Sequence, residues 1–96
     1  MPRRNRRVHS RQRLAENLRT ARSLFGWSQE DLGFECRLKR TYIGAIERLE
    51  VNPGIDNLDK LADGMGLHPC TLLLDPTKAY SEIYAAASAA RRAPRR

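Results

Sequence analysis

The chain has 96 residues and a formal net charge of +7, enough for one small domain and no more. A domain of this size buries only about 60% of the surface its unfolded chain exposes, so support from a second subunit would be unsurprising. No apolar run is long enough to span a membrane, and Cys36 and Cys70 lack the paired spacing of a zinc or redox motif.

The charge is unevenly placed. Residues 1–13 hold six arginines and no acid, residues 14–75 hold seven Lys/Arg against ten Asp/Glu, and residues 76–96 are basic again. Three regions are therefore expected: a basic arm at 1–13, a folded domain at 14–75 and a helical, basic tail at 76–96. Basic arms without a following apolar run fit contact with a polyanion, nucleic acid being the commonest. Solvated tails are the plainer alternative. Because Arg13 runs into the mixed LAENLRTARSLF, no secretory signal is expected. The expected location is cytoplasmic and, for a DNA binder, nucleoid-associated. Both cysteines read as small buried hydrophobes.

Every element predicted along the chain is helical. Leu14, Leu18, Ala21 and Phe25 form one stripe over about 13–25, and Gly26 stops it. Ser28 and Asp31 have the spacing of a capping box, with Trp27 and Leu32 at the positions of a hydrophobic staple. This predicts a short second helix over about 29–36. A third is predicted over about 40–49, with Ile43, Ile46 and Leu49 recurring every three residues. Two short helices joined by three or four residues must cross steeply, as in a helix-turn-helix. A fourth helix follows NPG, with Ile55, Leu58, Leu61, Ala62 and Met65 inward, and Gly66 ends it. Pro69 opens a short fifth. The alanine-rich run AYSEIYAAASAARR favours a sixth, with Tyr80, Ile83, Tyr84 and Ala87 as its stripe. The fold class is all-α.

In this order the residues resemble the lambda-repressor-like, Cro/cI-type (XRE) helix-turn-helix family. NLRTAR, WSQEDL, RTYIGAIER, NPGIDNLDKLAD and GLHPCTLL carry the likeness, over about two-thirds of the chain. The resemblance implies five helices, with the third as the recognition helix, and a regulator that binds operator DNA as a two-fold dimer. Phage-type repressors and small autoregulators, such as controllers of restriction–modification systems, are the implied settings. Four positions depart from the family: Gly33 replaces alanine, Arg37 the glycine of the turn, Lys39 a Ser/Thr cap, and Leu49 the glycine that ends helix three.

On DNA, Arg40 is the candidate for direct readout, since a guanidinium bonds guanine O6 and N7 together. Thr41 and Ala45, one turn apart, suit a thymine methyl. The resemblance gives Gln29 a phosphate contact and a role in buttressing Arg40. Lys39, Tyr42, Arg48 and Asn52 fit phosphate clamping, although Tyr42 also fits a half-buried core position. The resemblance further pairs Glu47 with Arg22 as a structural ion pair. The dimer contact is expected from Leu67, Leu72, Leu73, Tyr80, Ile83 and Tyr84.

Nothing in the sequence points to catalysis, a cofactor or a metal. His9 lies in the basic arm, His68 precedes Pro69, and neither is near a cysteine in a ligand pattern. The competing expectation is an antitoxin-type interaction module whose tail binds a partner protein. Deleting residues 76–96 and testing for the dimer would separate the two readings.

Overall fold

The structure, a computed structural model, describes residues 9–92. The arginine side chains expected to meet a polyanion at 1–8 and 91–96 lie outside the described residues. Five α-helices and one 3-10 helix follow in chain order: α1 His9–Phe25, α2 Gln29–Cys36, α3 Arg40–Glu47, α4 Ile55–Met65, the 3-10 helix Pro69–Leu73, and α5 Pro76–Arg92. Among the described residues there is no strand. No helix among them is long and apolar enough to cross a membrane.

The core is one cluster. Leu14, Leu18 and Ala21 of α1 meet Leu32 and Cys36 of α2, Ile43 and Ile46 of α3, and Leu61 and Met65 of α4. Leu72 of the 3-10 helix and Ile83 of α5 complete it. Cys36 behaves as an apolar side chain. Burial first, and then the charges of Glu35 and Asp63, push its thiol up to about 12, so it stays protonated and points weakly at the Leu61 carbonyl, 3.6 Å away. Cys70 is exposed, contrary to the expectation that both cysteines are interior.

α1 begins at His9, four residues before the predicted stripe, so part of the expected arm at 1–13 is helix. The larger correction is in the tail. α5 presents Ala79, Ile83 and Ala87 inward, all buried, and turns Tyr80 and Tyr84 outward. The inner stripe is thus i, i+4, i+8 with an alanine at each end. Small residues there let α5 pack closely on α1, whereas the tyrosine hydroxyls keep their water. Asp75 starts α5: its carboxylate accepts from the Thr77 backbone N–H and hydroxyl at 3.0 and 2.7 Å. The Thr71 hydroxyl donates to Glu82 at 2.6 Å, tying the 3-10 helix to α5. The side-chain amide of Asn17, buried in α1, donates to the Leu72 and Leu74 carbonyls at 2.9 and 3.0 Å. Residues 76–92 are therefore built into the body through their buried face.

Candidate nucleic-acid interface

Residues 28–48 build one exposed corner. The Ser28 hydroxyl accepts from the Asp31 N–H and the Asp31 carboxylate accepts from the Ser28 N–H, both at 3.0 Å, so the capping box sets the start of α2. α2 ends on Arg37, whose φ of 61° and ψ of 42° place a non-glycine residue in the left-handed region. The Leu38 N–H then returns to the Gly33 carbonyl at 2.8 Å. This is a helix end of the type glycine usually supplies, closed here by arginine at some conformational cost.

Gly33 explains how tight the turn is. A Cβ there would collide with the Leu38 carbonyl oxygen, which is backbone and cannot move aside cheaply. The alanine of the related pattern is thus excluded by this turn. Leu49 repeats the device at the end of α3, with φ of 63°.

Behind the corner lies an ion-pair network. The Arg22 guanidinium donates to both oxygens of Glu47, from Nε at 2.8 Å and Nη2 at 3.0 Å, and from Nη1 to the Trp27 carbonyl at 3.2 Å. The hydrogen bond to Glu47 holds Arg22 above its ordinary pKa, outweighing the opposite effect of burial. Gln29 Nε2 adds a third donor to Glu47 at 3.1 Å. Arg19 Nη1 caps the end of α3 on the Glu47 carbonyl at 2.6 Å. Three donors on a nearly buried carboxylate fix α1, α2 and α3 relative to one another.

In front stand the side chains offered outward. Lys39, Arg40 and Thr41 are exposed, and Ala45 is half-buried one turn below Thr41. Lys39 supplies no side-chain cap, which leaves the first backbone N–H groups of α3 for water or an anion. Tyr42 is half-buried. Its hydroxyl oxygen accepts from Asn57 Nδ2 at 3.0 Å, which sets the ring and leaves the hydroxyl proton to donate. An open groove of about 580 Å³ runs past Arg37, Leu38, Lys39, Thr41, Tyr42, Ala45 and Asn57. Its lining brings the cations Arg37 and Lys39 together with the small apolar groups of Thr41 and Ala45.

Two of the expected residues stand differently. Arg48 is exposed, but its guanidinium is engaged by Glu50, Nε and Nη2 each meeting a carboxylate oxygen at 2.9 and 3.1 Å. Asn52 is exposed in the α3–α4 loop and lines a separate groove with Ser10, Arg11, Pro53 and Ile55. Of the residues expected at a dimer contact, Leu72 and Ile83 are 0% exposed inside the protomer. They fill the core, and no second copy can reach them. Leu67 and Leu73 are half-buried, and Tyr80 and Tyr84 remain exposed. The sequence reading missed Arg19, Asn17 and Asn57. Arg19 looks like any surface arginine, and only the position of the α3 end reveals its partner. Among the described residues no group of histidine, cysteine and acidic side chains could hold a metal.

This corner defines a helix-turn-helix, with α2 bracing α3 and the first turn of α3 outward. Residues 18–72 match the helix-turn-helix family model, more than half the chain, so the protein belongs to the helix-turn-helix regulators of the Cro/cI (XRE) type. That family consists of transcription regulators and is not enzymatic. The chain is similar to a hypothetical transcription factor of Neisseria meningitidis serogroup B, 44% identical over 63 residues, 66% of this chain and 59% of that protein. It is also similar to the control protein C.BamHI of Bacillus amyloliquefaciens, 50% identical over 46 residues, 48% of this chain and 57% of that one. The control protein C.SmaI of Serratia marcescens is 44% identical over 52 residues, 54% of this chain and 62% of the relative. These matches span about three fifths of the length of the curated relatives. The crystal structure of the hypothetical transcription factor NHTF from Neisseria superposes with a TM-score of 0.69 at 40% identity, covering 76% of this chain and 84% of that one.

Proposed function

We propose that the chain is a sequence-specific, double-stranded-DNA-binding transcription regulator that acts as a homodimer on a pseudo-palindromic operator. The observation that carries this reading is the corner itself. Arg40, Thr41 and Ala45 stand outward on a short helix whose orientation is locked by the Arg22–Glu47–Gln29 network. A rigid helix with its first turn exposed is the element that enters a major groove. Arg40 reads guanine, Thr41 and Ala45 meet thymine methyls, and Lys39, Gln29 and Tyr42 hold phosphates. Similarity to C.BamHI and C.SmaI supports a small autoregulator of the restriction–modification control type.

The dimer contact is assigned to the outer face of α5, where Tyr80 and Tyr84 stack with ring centroids 6.2 Å apart. Two exposed tyrosine rings side by side on a 17-residue helix offer apolar surface with polar tips, the combination enriched at interfaces. Deleting residues 76–96 does not test this, because α5 contributes Ala79, Ile83 and Ala87 to the interior. Substituting the tyrosines does.

The function is tested by selection from a random duplex library at about 200 mM salt, where phosphate-only binding is suppressed. Recovery of a two-fold motif with half-site centres about 34–36 Å apart supports the reading. A library that enriches nothing overturns it, and a protein partner on the tyrosine face then takes its place.

A further inference from the structure

Among the described residues, Arg48 and Glu50 form an exposed ion pair at the foot of α3. Their side chains are 59% and 55% exposed, and the guanidinium meets the carboxylate through two of its nitrogens. Nη1 is turned the other way. It lies 2.9 Å from the point where a Cβ on Gly44 would stand, and Gln29 Oε1 approaches the same point at 3.3 Å. The arginine is therefore folded back along α3, its outer end over Gly44 beside the Gln29 amide. Any side chain at 44 would displace it.

Arg48 is the C-cap of α3, three residues beyond Ala45 and seven beyond Thr41, so it continues their side of the recognition helix past its last turn. A guanidinium there would ordinarily grip a phosphate. Glu50 already occupies the guanidinium edge that would bind phosphate bidentately, with the same two-oxygen geometry. An acid at this position has one side-chain partner, Arg48, and unpaired it would repel the DNA backbone.

The geometry points to Glu50 as a positioning residue of the DNA face, an internal anion that competes with DNA phosphate for Arg48. This rests on the proposal that α3 faces DNA. In the free protein the guanidinium is held by Glu50 over Gly44, and a phosphate must displace the carboxylate to be gripped. An exposed pair is weak enough to be displaced and strong enough to tax every encounter. The effect does not depend on base sequence, so it sets the strength and salt dependence of binding and leaves base preference to Arg40, Thr41 and Ala45.

The test is a double-mutant cycle on the full chain with a random-sequence duplex of about 20 base pairs, titrated at several salt concentrations. Glu50→Gln, which keeps size and removes charge, is expected to raise affinity about three- to tenfold near 100 mM salt. It is also expected to steepen the slope of log affinity against log salt by up to roughly 0.9, one added phosphate contact. In an Arg48→Ala background the same substitution is expected to change affinity by less than about twofold, with no change in slope. An equal gain in both backgrounds would overturn the proposal, since Glu50 would then be acting as a general negative charge. No gain from Glu50→Gln alone would overturn it as well. Both positions are exposed, so loss of fold does not confuse the outcome, and circular dichroism of each variant confirms it. Failure of the DNA reading shows separately, as a wild-type chain that binds selected and random duplexes equally.

Discussion

Glu47 holds Arg22 through both of its carboxylate oxygens while only 4% of its own side chain is exposed. The pair joins α1 to α3, and Gln29 brings α2 to the same carboxylate. Breaking one partner strands a charge in a place built for two. Arg22→Ala is therefore expected to lower unfolding stability by about 2–4 kcal/mol, toward the range for removing one half of a buried pair, with Glu47→Ala similar. Because each single variant leaves an uncompensated group, the double variant should lose less than the sum of the two. Denaturant unfolding of the four proteins measures this directly; additive losses would mean that the two side chains act independently.

Arg40 and Lys39 are neighbours with different expected signatures. Arg40→Ala should cost about 1–3 kcal/mol on the selected operator and relax preference at one base position. Lys39→Ala should weaken binding to all duplexes alike and lower the salt slope by about 0.9. Titrations on the operator, on single-base variants and on a random duplex distinguish the two. A uniform loss for Arg40→Ala would make it a phosphate contact instead.

The turn offers a test of backbone strain. Arg37 and Leu49 both hold positive φ, 61° and 63°. A side chain in that conformation costs roughly 1–2 kcal/mol, which glycine avoids at some loss of unfolded-state restriction. Arg37→Gly and Leu49→Gly are each expected to raise stability by about 0.5–1 kcal/mol, whereas Gly33→Ala should lower it, since its Cβ meets the Leu38 carbonyl. Thermal unfolding midpoints give the sign. A lower midpoint for both glycine variants would show that the two side chains contribute more by contact than their backbones cost.

Much of this corner is legible in the sequence because it rests on local rules. Ser28 and Asp31 announce a capping box by spacing alone, and Ile43 and Ile46 announce the inner face of α3. The resemblance adds that Arg37 and Leu49 stand where a glycine is usual, and both take the left-handed region in the structure. The tail was harder. Tyr80, Ile83, Tyr84 and Ala87 make a plausible stripe, and hydrophobicity ranks the tyrosines above Ala79. Only the approach of α5 to α1 decides that small residues go inward, and that decision is tertiary. Arg48 illustrates the same limit at the site: its exposure was foreseeable, but its capture by Glu50 depends on how the chain leaves α3.

Asp75 links the tail to pH. Its carboxylate lies below its ordinary range, chiefly through the Thr77 hydroxyl and backbone N–H that donate to it. A folded-state pKa below the unfolded one contributes stability that is fully present above the unfolded value and is lost as pH falls through the folded one. The stabilisation from this cap is therefore complete at neutral pH and fades only below about pH 4, near the ordinary carboxylate value. Asp75→Ala should lower the unfolding midpoint at pH 7. The gap between wild type and variant should narrow as the pH is taken down toward 3. A gap that stays constant would assign the loss to helix geometry instead of the charge.

Ile83 and Tyr84 are adjacent on α5 and should behave oppositely. Ile83 is fully buried in the protomer, so Ile83→Ala is expected to cost about 2–4 kcal/mol in folding whatever the oligomeric state. Tyr80 and Tyr84 are 48% and 51% exposed, and their replacement by serine removes apolar surface from the outside alone. On the proposed dimer contact, the Tyr80→Ser/Tyr84→Ser chain should keep its helical circular dichroism and sediment as a monomer across concentrations at which the wild type is expected to pair. Its operator affinity should fall steeply, because each half-site then binds by itself and the advantage of linked binding is lost. Sedimentation of both proteins across a concentration series decides the matter. A double variant that sediments as the wild type does would move the dimer contact off α5 and leave the tyrosine face for a different protein.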